Sequence, residues 1–232
     1  NCTDGIRINT ANNNRIYRNE FRRIGLPELD TGIYIRNGES NRVAFNRFFG
    51  LYLGSTIIGN ATNNLVCNNT FASLNSVGIT ITTESPSQIS LYNRVIHNTF
   101  INIGYCGISI SGKSKGIDVV SNWIFTSSYG IEIDTNSTLV SGNYIKNSTK
   151  YGIFVKGNDS IVSSNEISNN TVGIGVRGRL NQINGNSLYN NTASFAQDNG
   201  TNNDWNGNYW SDYQTKYPDA TATEGVWNTP YS

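Results

Sequence analysis

The stretch Val66-Cys67-Asn68-Asn69-Thr70-Phe71, echoed by Val95-Ile96-His97-Asn98-Thr99-Phe100, reads apolar-x-x-Asn-x-apolar. The same phrase runs from Ile16 through Asn19 to Phe21 and from Val43 through Asn46 to Phe48. It recurs around Asn122, Asn143, Asn165 and Asn186, and again from Trp205 through Asn208 to Trp210. Its asparagines follow one another at 27, 23, 29 and 24 residues, then at 21, 22, 21 and 22. Self-similarity at such a period marks a solenoid, here regular late in the chain and decorated with loops early.

Between these phrases lies a Gly-apolar-x-apolar tetrapeptide: Gly5-Ile6-Arg7-Ile8, Gly32-Ile33-Tyr34-Ile35, Gly50-Leu51-Tyr52-Leu53 and Gly78-Ile79-Thr80-Ile81, continuing at Gly107, Gly130, Gly152 and Gly173. Alternation over four to six positions, with Gly and Asn at the breaks, is a strand signal. Two or three short strands per repeat cannot bury a face alone, but stacked repeats cover one another. Stacking at the ~4.8 Å strand spacing puts like on like. Phe21, Phe48, Phe71 and Phe100 then form one inward column, continued by Ile124, Ile145, Ile167 and Leu188.

An inward asparagine column has its own logic, because an amide carries donors and an acceptor and can bond the identical amide one coil on. Aspartate, an acceptor only, would repel its neighbour. The expected fold is therefore all-β: a single-stranded parallel β-helix of about nine coils. Its internal ladder comprises Asn19, Asn46, Asn69, Asn98, Asn122, Asn143, Asn165, Asn186 and Asn208. The helix domain is expected over 1–212, with a C-terminal cap or tail over 213–232. The glycine of each tetrapeptide fits a corner needing positive φ or close approach.

Of the 232 residues 14% are charged and the net charge is +1, which leaves no overall field for gripping nucleic acid. No apolar run reaches the ~18 residues of a membrane span. The chain opens on Asn1-Cys2-Thr3 and reads as a processed mature chain or an excised piece. Cys2, Cys67 and Cys106 are odd in number, so they read either as buried or free thiols or as including an intermolecular bridge, for which Cys2 is best placed.

The ending Asn206-Gly207-Asn208-Tyr209-Trp210-Ser211-Asp212-Tyr213, followed by Gly225-Val226-Trp227-Asn228-Thr229-Pro230-Tyr231, resembles a motif of archaeal surface proteins. With the repeats, it makes the chain similar to the parallel β-helix repeat family that includes NosD-like periplasmic proteins and many archaeal surface-layer and sheath proteins. The resemblance implies a right-handed coil. Asn228 stands where the family usually has Asp, and the chain stops at Ser232 where relatives generally run on. A copper role does not carry over, since copper seeks imidazole or soft sulfur and this chain has one His, no Met and three dispersed Cys. No cofactor is expected.

Many enzymes of this fold act on polysaccharide from the outer face of a parallel sheet. The first outward column reads Arg7, Tyr34, Tyr52, Thr80, Ser109, Glu132, Phe154, Gly175; the second reads Asn9, Arg36, Gly54, Thr82, Ser111, Asp134, Lys156, Arg177. Glu132 and Asp134 share a face at ~7 Å, a spacing used by paired-carboxylate glycosidases. Lys156 and Arg177 on following coils explain the same carboxylates as a solvated ion-pair cluster. His97, beside ladder Asn98, reads as an exposed turn residue.

Nine Asn-x-Ser/Thr sequons are present, at Asn1, Asn60, Asn68, Asn136, Asn147, Asn158, Asn169, Asn190 and Asn199. Occupancy at loop sites is expected at Asn60, Asn68, Asn136 or Asn199, because glycans on Asn147, Asn169 and Asn190 would collide in one column. The leading expectation is a structural subunit of an extracellular archaeal layer, sheath or filament, polymerising with copies of itself without a catalytic set. The N-terminal end is expected to lack a cap and to invite that pairing. Surface glycans are further candidate partners. Alternatives are a carbohydrate-active enzyme or binding module, with Tyr34, Tyr52 and Phe154 as sugar platforms, and an adhesin or tail-fibre segment.

Overall fold

The computed structural model describes residues 3–23, 30–223 and 226–227. The backbone winds as a right-handed parallel β-solenoid of about nine turns. One sheet stacks nine three-residue strands among the described residues, from Arg15–Tyr17 and Arg42–Ala44 to Gln182–Asn184 and Asp204–Asn206. A second surface carries the tetrapeptide strands, such as Thr31–Arg36, Val77–Thr82 and Cys106–Ile110. A third carries the strands that follow each ladder asparagine, such as Arg47–Phe49 and Thr99–Ile103. The last two surfaces merge where Trp123–Ile133 and Tyr144–Val155 run through the bend unbroken.

Register is maintained by the core. Phe21, Phe48, Phe71 and Phe100 stack with ring centroids 4.9, 4.5 and 4.9 Å apart and planes within 9°. Aromatic pairs ordinarily favour offset or edge-on contacts, so it is the strand spacing that sets this face-to-face column. Ile124, Ile145, Ile167 and Leu188 continue it in register, all fully buried.

The asparagine ladder runs unbroken from Asn19 to Asn208. At each step the Oδ1 of one asparagine accepts both the backbone N–H and the side-chain Nδ2 of its predecessor, as in Asn69 to Asn98, both at 3.0 Å. The spare donor of Asn69 reaches the carbonyls of Val43 and Cys67 at 2.9 and 3.0 Å. Each amide therefore satisfies buried backbone that the bend would leave unpaired.

A second ladder escaped the sequence reading. Asn14, Asn41, Asn64 and Asn93 are linked in the same manner, and Asn181 and Asn203 resume it. Between them Ile117 is fully buried, and Thr138 and Ser160 supply a thinner link at 3.2 Å. A third, short run joins Ser148 to Asn170 and Asn170 to Asn191. Within each coil these corners fall five residues apart, as in Asn64, Asn69, Leu74 and Asn181, Asn186, Asn191.

Immediately before nearly every corner residue the backbone turns left-handed. Arg18, Phe45, Asn68, His97, Ser121 and Ser164 have φ of 53 to 58°, and Gly142, Gly185 and Gly207 complete that column. The stack imposes this conformation, which L-residues other than Asn and Asp seldom adopt. The glycines that open the paired tetrapeptide strands answer a different need, since φ is not positive there. A Cβ on Gly54, Gly78 or Gly130 would lie 2.4 to 2.5 Å from the carbonyl oxygen of the glycine one coil on.

One tetrapeptide does not form the strand its sequence predicts. Gly50-Leu51-Tyr52-Leu53 is a corner and its exit, with Gly50 left-handed at φ 67° and Leu51 buried inside. The strand of that coil is Leu53–Ile58, pairing Ile33 with Ser55, Tyr34 with Thr56 and Arg36 with Ile58. Thr56 and Ile58 thus replace Tyr52 and Gly54 in the outward columns. The last parallel strand is Tyr209–Trp210, followed by a helix at Tyr213–Lys216 whose Tyr213 is buried.

Replacing Asn122 by alanine strands the donors of Asn98 and the carbonyls of Val95 and Val120. Denaturant unfolding should show a loss of ~2–4 kcal/mol, since a buried polar group left unpaired costs ~1–3 kcal/mol. Gly130→Ala should destabilise through backbone collision, whereas Gly142→Ala, at an open left-handed site with its nearest neighbour 3.5 Å away, should cost only ~1 kcal/mol.

Candidate functional site

On the outer face of the tetrapeptide sheet, strands Cys106–Ile110, Trp123–Ile133, Tyr144–Val155 and Val172–Val176 lie side by side. Their register puts Ser109, Glu132, Phe154 and Gly175 in one row. A neighbouring row contains Cys106, Tyr129, Tyr151 and Val172. Glu132 and Asp134 alternate with buried Ile133, so both carboxylates do emerge on this face.

They are not equivalent. The Glu132 side chain is 9% exposed and that of Asp134 is 59% exposed. Lys156, one coil on from Asp134, places its ammonium 2.7 Å from Glu132 Oε1 and 3.8 Å from Asp134 Oδ2. The hydroxyl of Tyr105 donates to Glu132 Oε2 at 3.1 Å. Both oxygens of the covered carboxylate are thus engaged, one by a cation and one by a hydroxyl.

The surroundings titrate accordingly. The hydrogen bond to Glu132 holds the Lys156 ammonium above its ordinary range. Partial burial and the adjacent carboxylate push the Tyr105 phenol up to about 12. Burial, reinforced by Glu132, pushes the Cys106 thiol up. Cys106 and Cys67 are free, buried thiols, whereas Cys2 lies outside the described residues.

Aromatic rings wall the cluster. Tyr151 stacks on Phe154 with centroids 4.4 Å apart, and Tyr129 stacks on Tyr151 at 5.8 Å. The rings lean over Gly175, where a Cβ would lie 2.5 Å from Tyr151. Arg177 does not join the acids: its guanidinium lies over the Phe154 ring at 5.1 Å. Tyr105, Tyr129 and Tyr151 precede the glycines at 107, 130 and 152, outside the Gly-apolar-x-apolar phrase that marks the outward columns in the sequence.

The proposed sugar-stacking residues are dispersed. Phe154 is 4% exposed beneath its neighbours, and Tyr52 belongs to the corner loop, its N–H donating to Asp30. Tyr34 donates its hydroxyl at 3.4 Å to Glu84, which also binds Arg36 at 2.8 Å. His97 is exposed at its corner. Asn60, Asn68, Asn136 and Asn199 are all exposed, although Asn60 Oδ1 accepts from Ile89 and Asn136 Oδ1 from Asn158. Asn147, Asn169 and Asn190 share one exposed left-handed column.

Removing Lys156 should leave Glu132 covered without its cation. Lys156→Met should cost ~2–4 kcal/mol in denaturant unfolding, and the double variant Lys156→Met/Glu132→Gln should recover most of it. Raised folded-state values for Lys156 and Tyr105 mean stability that is intact below about pH 10 and is lost as pH climbs further. Thermal melts from about pH 9 to about pH 12 should therefore fall more steeply for the wild type than for the double variant.

Two family profiles match the chain. One, described as a right handed beta helix region, covers residues 1–124; the other, described as periplasmic copper-binding protein (NosD), covers residues 74–215. The donor set does not suit copper, which seeks imidazole or soft sulfur: the chain has one His and no Met, and among the described residues no three His, Cys, Asp or Glu are placed to hold a metal ion. No curated protein matches the chain significantly.

Among solved structures, the periplasmic alginate epimerase AlgG shares 16% identity and a TM-score of 0.45, over 68% of this chain and 48% of that one. A tailspike protein of E. coli bacteriophage HK620, in complex with a pentasaccharide, shares 13% identity and a TM-score of 0.48, over 86% of this chain and 47% of that one. The chain thus spans about half the length of these structures. Through its matched profiles and its laddered coils, the chain belongs to the right-handed parallel β-helix repeat family that includes NosD.

Proposed function

We propose that the chain is a structural β-helix of an extracytoplasmic assembly, a subunit of a cell-surface layer, sheath or filament of the archaeal kind that its Asn-Tyr-Trp-Ser-Asp-Tyr ending resembles. The observation that carries this reading is the uninterrupted ladder from Asn19 to Asn208. Nine coils at ~4.8 Å make a stiff rod of roughly 40 Å in which side-chain chemistry is directed inward. The covered carboxylate of the outer-face cluster, Glu132, is occupied by Lys156 and Tyr105, as a structural ion pair would be.

The periplasmic description of one matched profile supports a location beyond the cytoplasm, and no described helix is long and apolar enough to cross a membrane. Solenoid subunits associate by edge pairing and coil stacking, and a heterologous contact of that type propagates. Sedimentation of the purified chain across rising concentration, oxidised and reduced, should reveal species larger than a monomer. A strict monomer under both conditions would sink the assembly reading. Loss of the large species on reduction would assign the contact to a disulfide, for which Cys2 is the candidate.

A second reading, action on polysaccharide, draws on the Glu132 and Asp134 pair, with the exposed Trp123, 5.4 Å from the ring of Tyr144, on the adjoining surface of the same coil. If it holds, turnover of an acidic or neutral glycan should vanish in Glu132→Gln and in Asp134→Asn; retained turnover removes both as catalysts.

A further inference from the structure

Cationic side chains are unevenly placed along the solenoid. All six lysines follow residue 112, while eight of the eleven arginines precede residue 48. Six of those eight, Arg15, Arg18, Arg22, Arg23, Arg42 and Arg47, are exposed and wrap the first-ladder corner of two adjacent coils. Arg15 and Arg42 are register partners on neighbouring strands. Arg18 sits at the corner itself, and Arg47 follows on the other side, opposite Glu20.

Glu20 pairs with Arg22 and is the sole described acid within this group of positions. Among the described residues no carboxylate lies within ion-pair distance of Arg15, Arg18, Arg23, Arg42 or Arg47. Coil three offers only neutral Leu65, Asn68 and Thr70 at the corresponding positions. The next cation along, Arg94, is matched by Asp118 at 3.3 Å.

Two features of this patch cost stability. Like charges directly opposite on paired strands repel. Phe45 and Phe49 are 51% and 50% exposed, and Phe45 adopts a left-handed backbone, φ 58°, that a bulky side chain disfavours. Their rings stand among the guanidiniums: Phe45 lies 6.3 Å from Tyr17, Arg42 is over Tyr17 and Arg22 is over Phe49.

A surface needing only solubility would be served by lysine. Guanidinium forks instead match carboxylate and sulfate oxygens two at a time. We propose that this corner binds an acidic polysaccharide, the arginines gripping its uronate or sulfate groups and the faces of Tyr17, Phe45 and Phe49 receiving its sugar rings. The proposal is independent of the assembly reading, because it needs only the lateral surface of two coils. Single-stranded nucleic acid presents a related pattern of anions and rings. The periplasmic description of the matched family and the net charge of +1 favour the glycan.

The test is calorimetric titration of the intact chain with polygalacturonate, beside neutral dextran and an oligothymidylate. Polygalacturonate should bind, dextran should not, and affinity should fall about tenfold or more from about 50 to about 200 mM salt, as counterions compete. Arg15→Ser/Arg42→Ser/Arg47→Ser should weaken binding at least about tenfold. Arg15→Lys/Arg42→Lys/Arg47→Lys, which keeps charge and loses the forks, should weaken it several-fold. Phe45→Ser should weaken it without altering the salt dependence. Lys113→Ser/Lys115→Ser, removing two charges elsewhere, should leave it within about twofold. Failure to bind polygalacturonate, equal weakening by the lysine variant, or tighter binding of oligothymidylate would each overturn the proposal.

Discussion

The structure depends on a translational constraint: each inward side chain meets its own counterpart one coil away. A residue type survives in such a column only if it is complementary to itself. The amide of asparagine meets this condition, since its oxygen accepts from its neighbour while its nitrogen donates onward and to buried carbonyls. Phenylalanine meets it by stacking, and isoleucine and valine by filling the same volume repeatedly. Glycine meets it by leaving room for the carbonyl of its successor. Charge fails the condition, and the buried columns are correspondingly neutral, with Asp30 as a buried exception near the corner exit.

That constraint explains how much was legible in the sequence. Asn19 through Asn208 were readable because the phrase around them holds an apolar residue on each side at fixed distance. The second ladder, Asn14 to Asn203, lay five residues earlier throughout, but Ile117, Thr138 and Ser160 break its identity and hide it. The third coil was misaligned because Gly50-Leu51-Tyr52-Leu53 imitates the strand phrase. Only distance from Asn46 distinguishes it, since Leu51 falls on the five-residue corner and Gly54 on the true column. Spacing between corners was the better guide, local pattern the poorer.

Side-chain chemistry at the surface was less legible, because outward positions obey no such rule. The sequence placed Glu132, Asp134 and Lys156 on one face, as found. It did not reveal that Lys156 bridges both acids, that Tyr105 closes the remaining oxygen, or that Arg177 turns to Phe154. Tyr34 was readable as outward, but the reach of Glu84 across two coils to cover it was not. Where the surface departs from repetition, it does so in coherent groups, the Glu132 cluster late and the arginine corner early.

The five-residue spacing of the corners also divides the solenoid into two unlike sides. The eleven residues of each coil that span the three bends are of fixed length from Asn41 to Asn191, so all variation in coil size must enter through the remaining arc. There the chain lengthens, as in Thr83–Ile89, and Glu84 folds back over earlier coils. Descendants of this chain can therefore change loops along one flank without shifting a single rung. The molecule behaves as a ruler on one side and as an open slate on the other.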